Sequence, residues 1–316
     1  MASRHWQKVA MASRHWKKEK TTMISIDFEQ YPLSGWFPGH MMKAEKAMQE
    51  ALKLVDLVVE LIDARAPMSS RNPDLREILQ NRPFLTVANK SDLADPKASK
   101  AWVEWYAKRG ERLFMLDSRK TGTLRGLPEL WRKVVMEERA KRGATRPLAR
   151  PVRIMIAGVP NIGKSTLVNH LLERNKAQVG PKPGVTRQNQ WIPLPSNVEL
   201  LDTPGILWPR IQSKRHELLL ALLGNLKEEV VDKILLSDYL CCRLSEQKNV
   251  KWDVLGLDGC PNSPDDLLEG LARRRGLLRQ GGTPDFERAA NAFLKDYRDG
   301  RLGRFTFDTV PAVSQG

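Results

Sequence analysis

One segment of the chain has the residue types and spacing of a loop that binds nucleotide phosphates. It reads Gly158-Val-Pro-Asn-Ile-Gly-Lys-Ser165, and it lies between a predicted strand and a predicted helix. The glycines allow backbone N–H groups to surround phosphate oxygens, and the helix N-terminus adds a partial positive charge. Lys164 is expected to reach the β- and γ-phosphates, and the Ser165 hydroxyl to ligate Mg²⁺. The alternative is a glycine-rich turn without a ligand, which the flanking strand and helix disfavour.

Two later segments could respond to the γ-phosphate. In Asp202-Thr-Pro-Gly205, which follows another predicted strand, Asp202 could hold Mg²⁺ through water and the Gly205 N–H could contact the γ-phosphate. Thr186 is the candidate that meets Mg²⁺ while the γ-phosphate is present, and a surface turn is the alternative interpretation of its segment. The residues predicted to contact the nucleotide phosphates are Pro160, Asn161, Ile162, Gly163, Lys164, Ser165, Thr166 and Gly205.

A second motif, Asn89-Lys-Ser-Asp92, has the composition of a guanine-recognition loop. The Asp92 carboxylate can accept hydrogen bonds from N1 and N2 of guanine, whereas adenine would leave this carboxylate unpaired. Asn89 can connect the loop to the phosphate loop, Lys90 can lie along the base, and Ser118 can donate its backbone N–H to guanine O6. A simple helix cap is the alternative interpretation of the motif when it is taken alone.

The order of these motifs is permuted, because the base motif precedes the phosphate loop. Strands alternate with helices, so we expect a mainly parallel sheet with helices on both faces. The same sheet can form if the ordinary chain ends are joined, and the Gly-, Pro- and Arg-rich linker at 143–151 is the predicted joint. The predicted fold is therefore an α/β, circularly permuted P-loop domain followed by a small all-α domain.

The domain prediction has three parts: a basic tail at 1–33, the nucleotide-binding domain at 34–212 and a helical domain at 213–316. Within the tail, residues 1–6 recur at 11–16, which indicates either a basic arm or an accident of start-site choice. Helix signals in the last part begin near His216, after Ser263 and after Thr283.

The net charge of +15, from 52 Lys and Arg against 37 Asp and Glu, favours a polyanionic partner over a merely soluble basic protein. The three cysteines form no CxxC pair, so no zinc site is expected. No apolar run approaches the roughly 20 residues that span a bilayer, so no membrane partner is expected. Seven arginines are predicted to contact RNA phosphates, with a solvated basic face as the alternative: Arg273, Arg274, Arg275, Arg279, Arg298, Arg301 and Arg304.

Together these motifs resemble the YlqF-type, or ribosome biogenesis GTPase A, family of circularly permuted GTPases. The resemblance covers roughly residues 34–308. It implies that the chain binds the precursor of the large ribosomal subunit and promotes its late assembly, with that subunit and its rRNA as partners. It also implies that Mg²⁺ and GTP or GDP bind and that GTP hydrolysis is stimulated by the ribosome. The residues that carry it are Trp36 to Met41, Asp63 to Pro67, Asn89 to Asp92, Gly158 to Ser165, Gly184 to Thr186, Asp202 to Ile206 and Arg288 to Phe307.

The resemblance also assigns two residues that the motifs alone do not. Asn161 matches an asparagine linked to K⁺ use, and His40 matches the histidine proposed to position the attacking water, because Ile206 stands where other GTPases have a glutamine. Packing of the aromatic turn is the alternative role of His40. The predicted catalytic residues are His40, Lys164, Thr186 and Gly205.

The expected compartment is the cytoplasm, with a mitochondrial or chloroplast matrix as the alternative, and the expected state off the ribosome is a monomer. Two rival functions remain open from the sequence. One is a nucleotide-gated RNA-binding protein with incidental hydrolysis, and the other is a GTPase that acts on transfer RNA or the small subunit.

Overall fold

The computed structural model describes residues 17–18, 24–34, 48–79, 82–144, 146, 148–176, 190–202, 211–226 and 230–312. The chain divides into two compact units. The sheet unit comprises the described residues from 48 to 211 together with 223–226 and 304–312. The helical unit comprises 24–34, 212–222 and 230–303, together with the short stretch at 17–18.

The sheet unit is built on six strands in the order β5-β4-β3-β6-β8-β7. All neighbours are parallel except β7, which pairs antiparallel with β8. A separate antiparallel pair in the helical unit joins β1 (Lys17–Lys18) to β2 (Ile24–Ser25). The strands of the large sheet are β3 (Leu57–Asp63), β4 (Phe84–Asn89), β5 (Leu113–Met115), β6 (Val152–Gly158), β7 (Gln190–Leu194) and β8 (Val198–Asp202).

Nine α-helices have both ends within the described residues. The sheet unit contains α1 (Leu75–Leu79), α2 (Pro96–Lys108), α3 (Thr121–Leu124), α4 (Leu127–Lys141) and α5 (Lys164–Lys176). The helical unit contains α6 (Lys214–Leu222), α7 (Lys233–Ser245), α8 (Pro264–Arg274) and α9 (Phe286–Arg298). No helix in the described part of the chain has the length and apolarity that a bilayer crossing needs.

The predicted α/β architecture is the one the structure has. Every residue of β3 is buried, as expected for a central parallel strand covered on both faces. The permutation joint is held by Arg150, whose guanidinium donates to both carboxylate oxygens of Asp56 at 2.7 and 2.9 Å. Hydrogen bonding to Asp56 raises the pKa of Arg150.

The edge strand β7 and the helix α7 are among the elements that were not predicted from the sequence. The edge strand β7 is short and contains Pro193, which a central strand would exclude but an edge strand tolerates. Helix α7 is capped by Asp232, whose side chain accepts a hydrogen bond from the Leu235 N–H. The apolar residues of α7 are spread around the helix and do not form one stripe, so no helical periodicity marks it in the sequence.

The amino-terminal boundary differs from the predicted one. Residues 24–34 group with the helical unit instead of forming part of a separate tail. The Phe28 ring packs edge-on against Tyr239 at 5.2 Å between centroids, and Lys214 Nζ donates to the Pro32 carbonyl at 2.9 Å. An aromatic contact and a buried cation therefore hold this segment on the helices.

The carboxy-terminal boundary differs as well. Residues 304–312 were assigned to the helical domain but group with the sheet unit, as does the short segment 223–226. Residues 304–312 belong to the sheet unit because the side chains of Phe305 and Phe307 are buried there and thereby removed from water.

Candidate nucleotide-binding site

The two predicted loops meet at one edge of the sheet. Asp63 at the end of β3 pairs with Asn89 at the end of β4, and Leu61 of β3 pairs with Gly158 at the end of β6. Because parallel strands bring their carboxyl ends to the same edge, motifs that are distant in the sequence become neighbours. This edge is where open α/β sheets place their ligands.

The phosphate loop requires glycine at two positions. A Cβ at Gly158 would lie 2.5 Å from the Leu61 carbonyl oxygen, and one at Gly163 would lie 2.3 Å from Asn89 Nδ2. Gly163 also has φ +102°, a conformation that side-chain-bearing residues avoid. Asn161 lies between them in the left-handed region, with φ +55°. The loop therefore has the open backbone cradle that fits a phosphate group.

Asn89 joins the two loops. Its side chain is buried, its Nδ2 donates to the Ile162 carbonyl at 2.9 Å, and its Oδ1 accepts the Ser118 N–H at 3.1 Å. One amide thus connects the phosphate loop with the loops that follow β4 and β5.

The role predicted for Ser118 needs correction, because its N–H is already used by Asn89 rather than pointing to a base. The next N–H, of Arg119, donates to Asp117 Oδ1 at 3.1 Å. The Ser118 carbonyl lies 2.6 Å from Nδ1 of His170, so Nδ1 must carry the hydrogen there. Sequence reasoning missed His170, since a lone histidine within α5 gives no signal.

Lys164 lies at the first turn of α5. Its Nζ donates to the carbonyls of Gly158 and Val159 at 2.7 and 2.8 Å. Burial lowers the pKa of Lys164 to about 8. The neighbouring side chains of Ser165 and Thr166 are exposed at the same helix end, where they can reach a ligand.

A buried ion cluster lies next to the guanine-recognition motif at residues 89–92, which we call the base loop. Asp63 accepts from Arg65 through Nε at 2.9 Å and Nη2 at 2.8 Å, and it pairs with Lys90 Nζ at 3.1 Å. Burial alone would raise the pKa of Asp63, but the charges of Arg65 and Lys90 outweigh burial and hold it well below its usual range. Lys90 is thus committed to Asp63, and its backbone is left-handed at φ +59°.

The carboxylate of Asp92 has one engaged and one unengaged oxygen. Oδ2 pairs with the exposed guanidinium of Arg119. Oδ1 is buried and has no hydrogen-bond partner within the described parts of the chain. Oδ1 is therefore the oxygen of this carboxylate that an additional donor could pair with.

Three predicted site residues, His40, Thr186 and Gly205, lie outside the described residues. For Asp202 the structure gives the backbone, which ends β8 opposite Gln190. The structure therefore brings together the loops that hold Asn89, Lys90, Asp92, Ser118 and residues 160–166.

The fold and site define a circularly permuted P-loop GTPase. A family model described as 50S ribosome-binding GTPase matches residues 153–249. A Bacillus cereus ribosome biogenesis GTPase A is 36% identical over 87% of this chain and 93% of its own length. Mouse mitochondrial ribosome-associated GTPase 1 is 35% identical over 90% and 95%. The crystal structure of GNP-bound YlqF from Thermotoga maritima superposes with a TM-score of 0.60, at 30% identity over 86% of this chain and all of that one.

The chain belongs to the ribosome biogenesis GTPase A (YlqF) family and is a GTP-hydrolysing enzyme. The family and the fold class predicted from the motifs are thereby confirmed. Binding of a guanine nucleotide follows from the same similarity.

The lowered pKa of Lys164 predicts proton uptake when GDP binds. At pH 8 about half of the free protein carries an uncharged Lys164, and phosphate oxygens favour the charged form, so about half a proton should be taken up per GDP bound. Calorimetric titration in two buffers of different ionisation enthalpy measures this uptake. It should fall toward zero near pH 7 and be absent in Lys164→Arg, whose guanidinium is always charged. Zero uptake by the wild type at pH 8 would contradict the prediction.

The Arg119 contact predicts that removing this side chain strengthens guanine binding. In the wild type, guanine must displace the Arg119 guanidinium from Asp92 before it can bind the carboxylate, and Arg119→Ala removes this cost. An exposed ion pair of this kind corresponds to about a two- to fivefold change in Kd. Competition against a fluorescent GDP measures the effect, with Arg125→Ala, an exposed arginine at the end of α3, as the matched control. Weaker GDP binding by Arg119→Ala alone would mean that Arg119 itself contacts the nucleotide.

Proposed function

We propose that this GTPase binds the precursor of the large ribosomal subunit, promotes its late assembly and hydrolyses GTP faster when the ribosome is bound. The observation that carries the proposal is the extent of the similarity to GTPases named for the ribosome. At 87–90% of the chain, it must run through the helical unit as well as through the nucleotide site. A nucleotide site alone would support only GTP binding.

The arrangement of the site supports separate roles for the residues around the phosphates. The backbone of residues 160–166 and the ammonium of Lys164 would bind the β- and γ-phosphates at the start of α5. Ser165, Thr186 and Asp202 would hold Mg²⁺, which supplies charge neutralisation between the two phosphates when it is bound. Asn161 would contact K⁺, as the family resemblance implies.

The hydrolysis step needs a positioned water. The water oxygen would attack the γ-phosphorus, the bond from that phosphorus to the β–γ bridging oxygen would break, and GDP and phosphate would leave. As the family resemblance implies, His40 would orient the water, since the side chain of Ile206 has no hydrogen-bonding group. Thr186 and the Gly205 N–H would sense the γ-phosphate and release their segments after hydrolysis.

On the base side, Asp92 would receive guanine N1 and N2 at its carboxylate. The unengaged, buried Oδ1 supports this role. Asn89 and Ser118 would act by holding this loop against the phosphate loop, and Lys90 would lie beside the base while remaining paired with Asp63.

The helical unit would contact rRNA phosphates through its arginines, several of which also hold the unit together. Arg275 and Arg301 share the buried carboxylate of Asp296 at 2.6 and 3.1 Å, and Arg298 donates to the carbonyls of Ala221 and Leu222. These three stabilise the unit itself. The other predicted arginines of the unit have partners too: Arg273 pairs with Glu269, Arg274 donates to the Gly256 carbonyl and Arg279 pairs with Asp285. The exposed members of the predicted RNA-contacting set are Arg273, Arg274, Arg275, Arg279, Arg301 and Arg304.

When it is not bound to the ribosome, the protein would be a monomer. The name of the mouse relative supports a mitochondrial location, whereas the bacterial relatives support the cytoplasm. In either location the proposed partner is a large ribosomal subunit.

The test is GTP hydrolysis in KCl, measured alone, with purified large subunits and with small subunits. We expect slow basal turnover that only large subunits raise, and a His40→Ala variant that binds GTP normally but loses the stimulated turnover. Stimulation by small subunits instead would overturn the assignment of the partner. Tight GTP binding with no stimulation by either subunit would favour the rival, a nucleotide-gated RNA-binding protein.

A further inference from the structure

The segment at residues 304–310, which we call the carboxy-terminal strap, packs beside the base loop. It has no regular secondary structure and begins after α9 and the turn that follows it, where the chain returns to the sheet unit. Phe305 and Phe307 are only 2% and 5% exposed, and Val310 packs on the cluster around Trp102. Burial of two phenylalanines fixes the strap to the sheet unit as part of its core.

The strap is hydrogen-bonded to the residues that follow the base loop in the sequence. Phe305 N–H donates to the Leu93 carbonyl at 3.0 Å, directly after Asp92. The Thr306 hydroxyl accepts the N–H of Asp95, the cap of α2, at 3.2 Å. These two bonds hold the carboxyl end of the loop that carries Asp92.

The next residues of the strap, Phe307 and Asp308, contact the ion cluster beside the base loop and the turn that follows Arg65. Phe307 N–H donates to the Arg65 carbonyl at 2.7 Å, and Arg65 is the partner of Asp63, which in turn pairs with Lys90. The Asp308 carboxylate accepts the N–H groups of Met68 and Ser69, each at 2.7 Å, and the Ser69 hydroxyl at 2.7 Å. Three donors on one carboxylate fix the turn that follows Arg65.

We propose that the strap is a positioning element for guanine specificity: it aligns the Asp92 loop and the Asp63–Arg65–Lys90 cluster so that the carboxylate meets both N1 and N2 of the base. The proposal rests on the proposed role of Asp92 as the guanine acceptor. It adds residues that no nucleotide-binding motif contains, and they lie far from that loop in the sequence. Because the hydrogen bonds of the strap given above go to Leu93 and Asp95 after the base loop and to Arg65, Met68 and Ser69 after β3, the effect should fall on the base and not on the phosphates.

The test compares GDP with inosine diphosphate, which has the same phosphates and N1 but lacks the 2-amino group. Thr306→Val removes the acceptor of the Asp95 N–H, and Asp308→Asn removes the charge that holds the turn at 68–69. Asp258→Asn, at an exposed position of the helical unit, is the matched control. Kd values come from competition against a fluorescent GDP in the full chain, and thermal unfolding checks that each variant is folded.

We expect the wild type and Asp258→Asn to prefer GDP clearly. In Thr306→Val and Asp308→Asn this preference should fall about fivefold, with most of the loss in GDP affinity and little in inosine diphosphate affinity. An unchanged preference, whether both affinities hold or both fall together, would overturn the proposal and leave the strap as packing alone. If the wild type shows no preference, the role of Asp92 fails first, and the strap proposal fails with it.

Discussion

Replacing Gly163 with alanine is expected to weaken GTP and GDP binding by at least about 100-fold while the chain remains folded. Two effects combine. The new Cβ would lie 2.3 Å from Asn89 Nδ2, and alanine would have to adopt φ +102°. To avoid the collision, Asn89 must leave its bonds to Ile162 O and Ser118 N, which separates the base loop from the phosphate loop.

The control for this variant is Gly126→Ala. Gly126 precedes α4 with φ −91°, and a Cβ there would meet nothing within 4 Å. It should bind nucleotide like the wild type, so the comparison separates the effect of position from the effect of adding a methyl group. Competition with a fluorescent GDP measures both variants, and circular dichroism confirms folding. Binding by Gly163→Ala within threefold of the wild type would show that the loop can move away from Asn89 without loss.

Much of this site was accessible from the sequence because the chemistry of phosphate binding fixes residue types at fixed spacings. Gly163 and Lys164 are required by the backbone and the charge of the loop, and the strand before them is recognisable as an apolar run. Asn89 could be predicted to reach the phosphate loop because both motifs end parallel strands, β4 and β6, that pair with the two edges of β3.

The contacts that support the site could not be predicted in this way. His170 beside the Ser118 carbonyl, Arg119 on Asp92 and the strap at 304–310 are each brought to the site by tertiary packing, and none has a local pattern. The use of the Ser118 N–H was wrongly predicted for a related reason. Several donors follow β5 within a few residues, and only the structure shows which of them Asn89 takes.

Replacing Asp63 with asparagine is expected to lower the free energy of unfolding of the sheet unit by about 3–5 kcal/mol at pH 7. Asp63 is completely buried, and its carboxylate accepts from Arg65 and Lys90. Asparagine keeps the shape but leaves two cations facing a neutral amide, one side of which is itself a donor. The cost therefore comes mainly from uncompensated charge and not from a cavity.

The pH dependence of this cost has a definite sign. Because Arg65 and Lys90 hold the folded-state pKa of Asp63 below its usual range, the stabilisation is complete above the unfolded-state pKa of about 4 and is lost as the pH falls toward the folded-state value. The difference between wild type and Asp63→Asn should then be constant from about pH 7 to 5. It should shrink by up to about 1.4 kcal/mol per pH unit below about pH 4.

Urea unfolding followed through the buried indoles of Trp102 and Trp131, both in the sheet unit, measures this difference. Asp258→Asn, the exposed control, should match the wild type at every pH. A cost below about 1 kcal/mol at pH 7 would mean that Arg65 and Lys90 find other acceptors, for which the Leu223 carbonyl is the nearest candidate because it already accepts from both at 3.2 and 3.4 Å. A difference that grows on acidification would contradict the assigned direction of the pKa shift. The same ion cluster contacts the base loop through Lys90. Asp63→Asn should therefore also weaken GDP binding, because Lys90 loses the carboxylate that holds it in place. The residue that stabilises the end of β3 thus also contributes to nucleotide recognition.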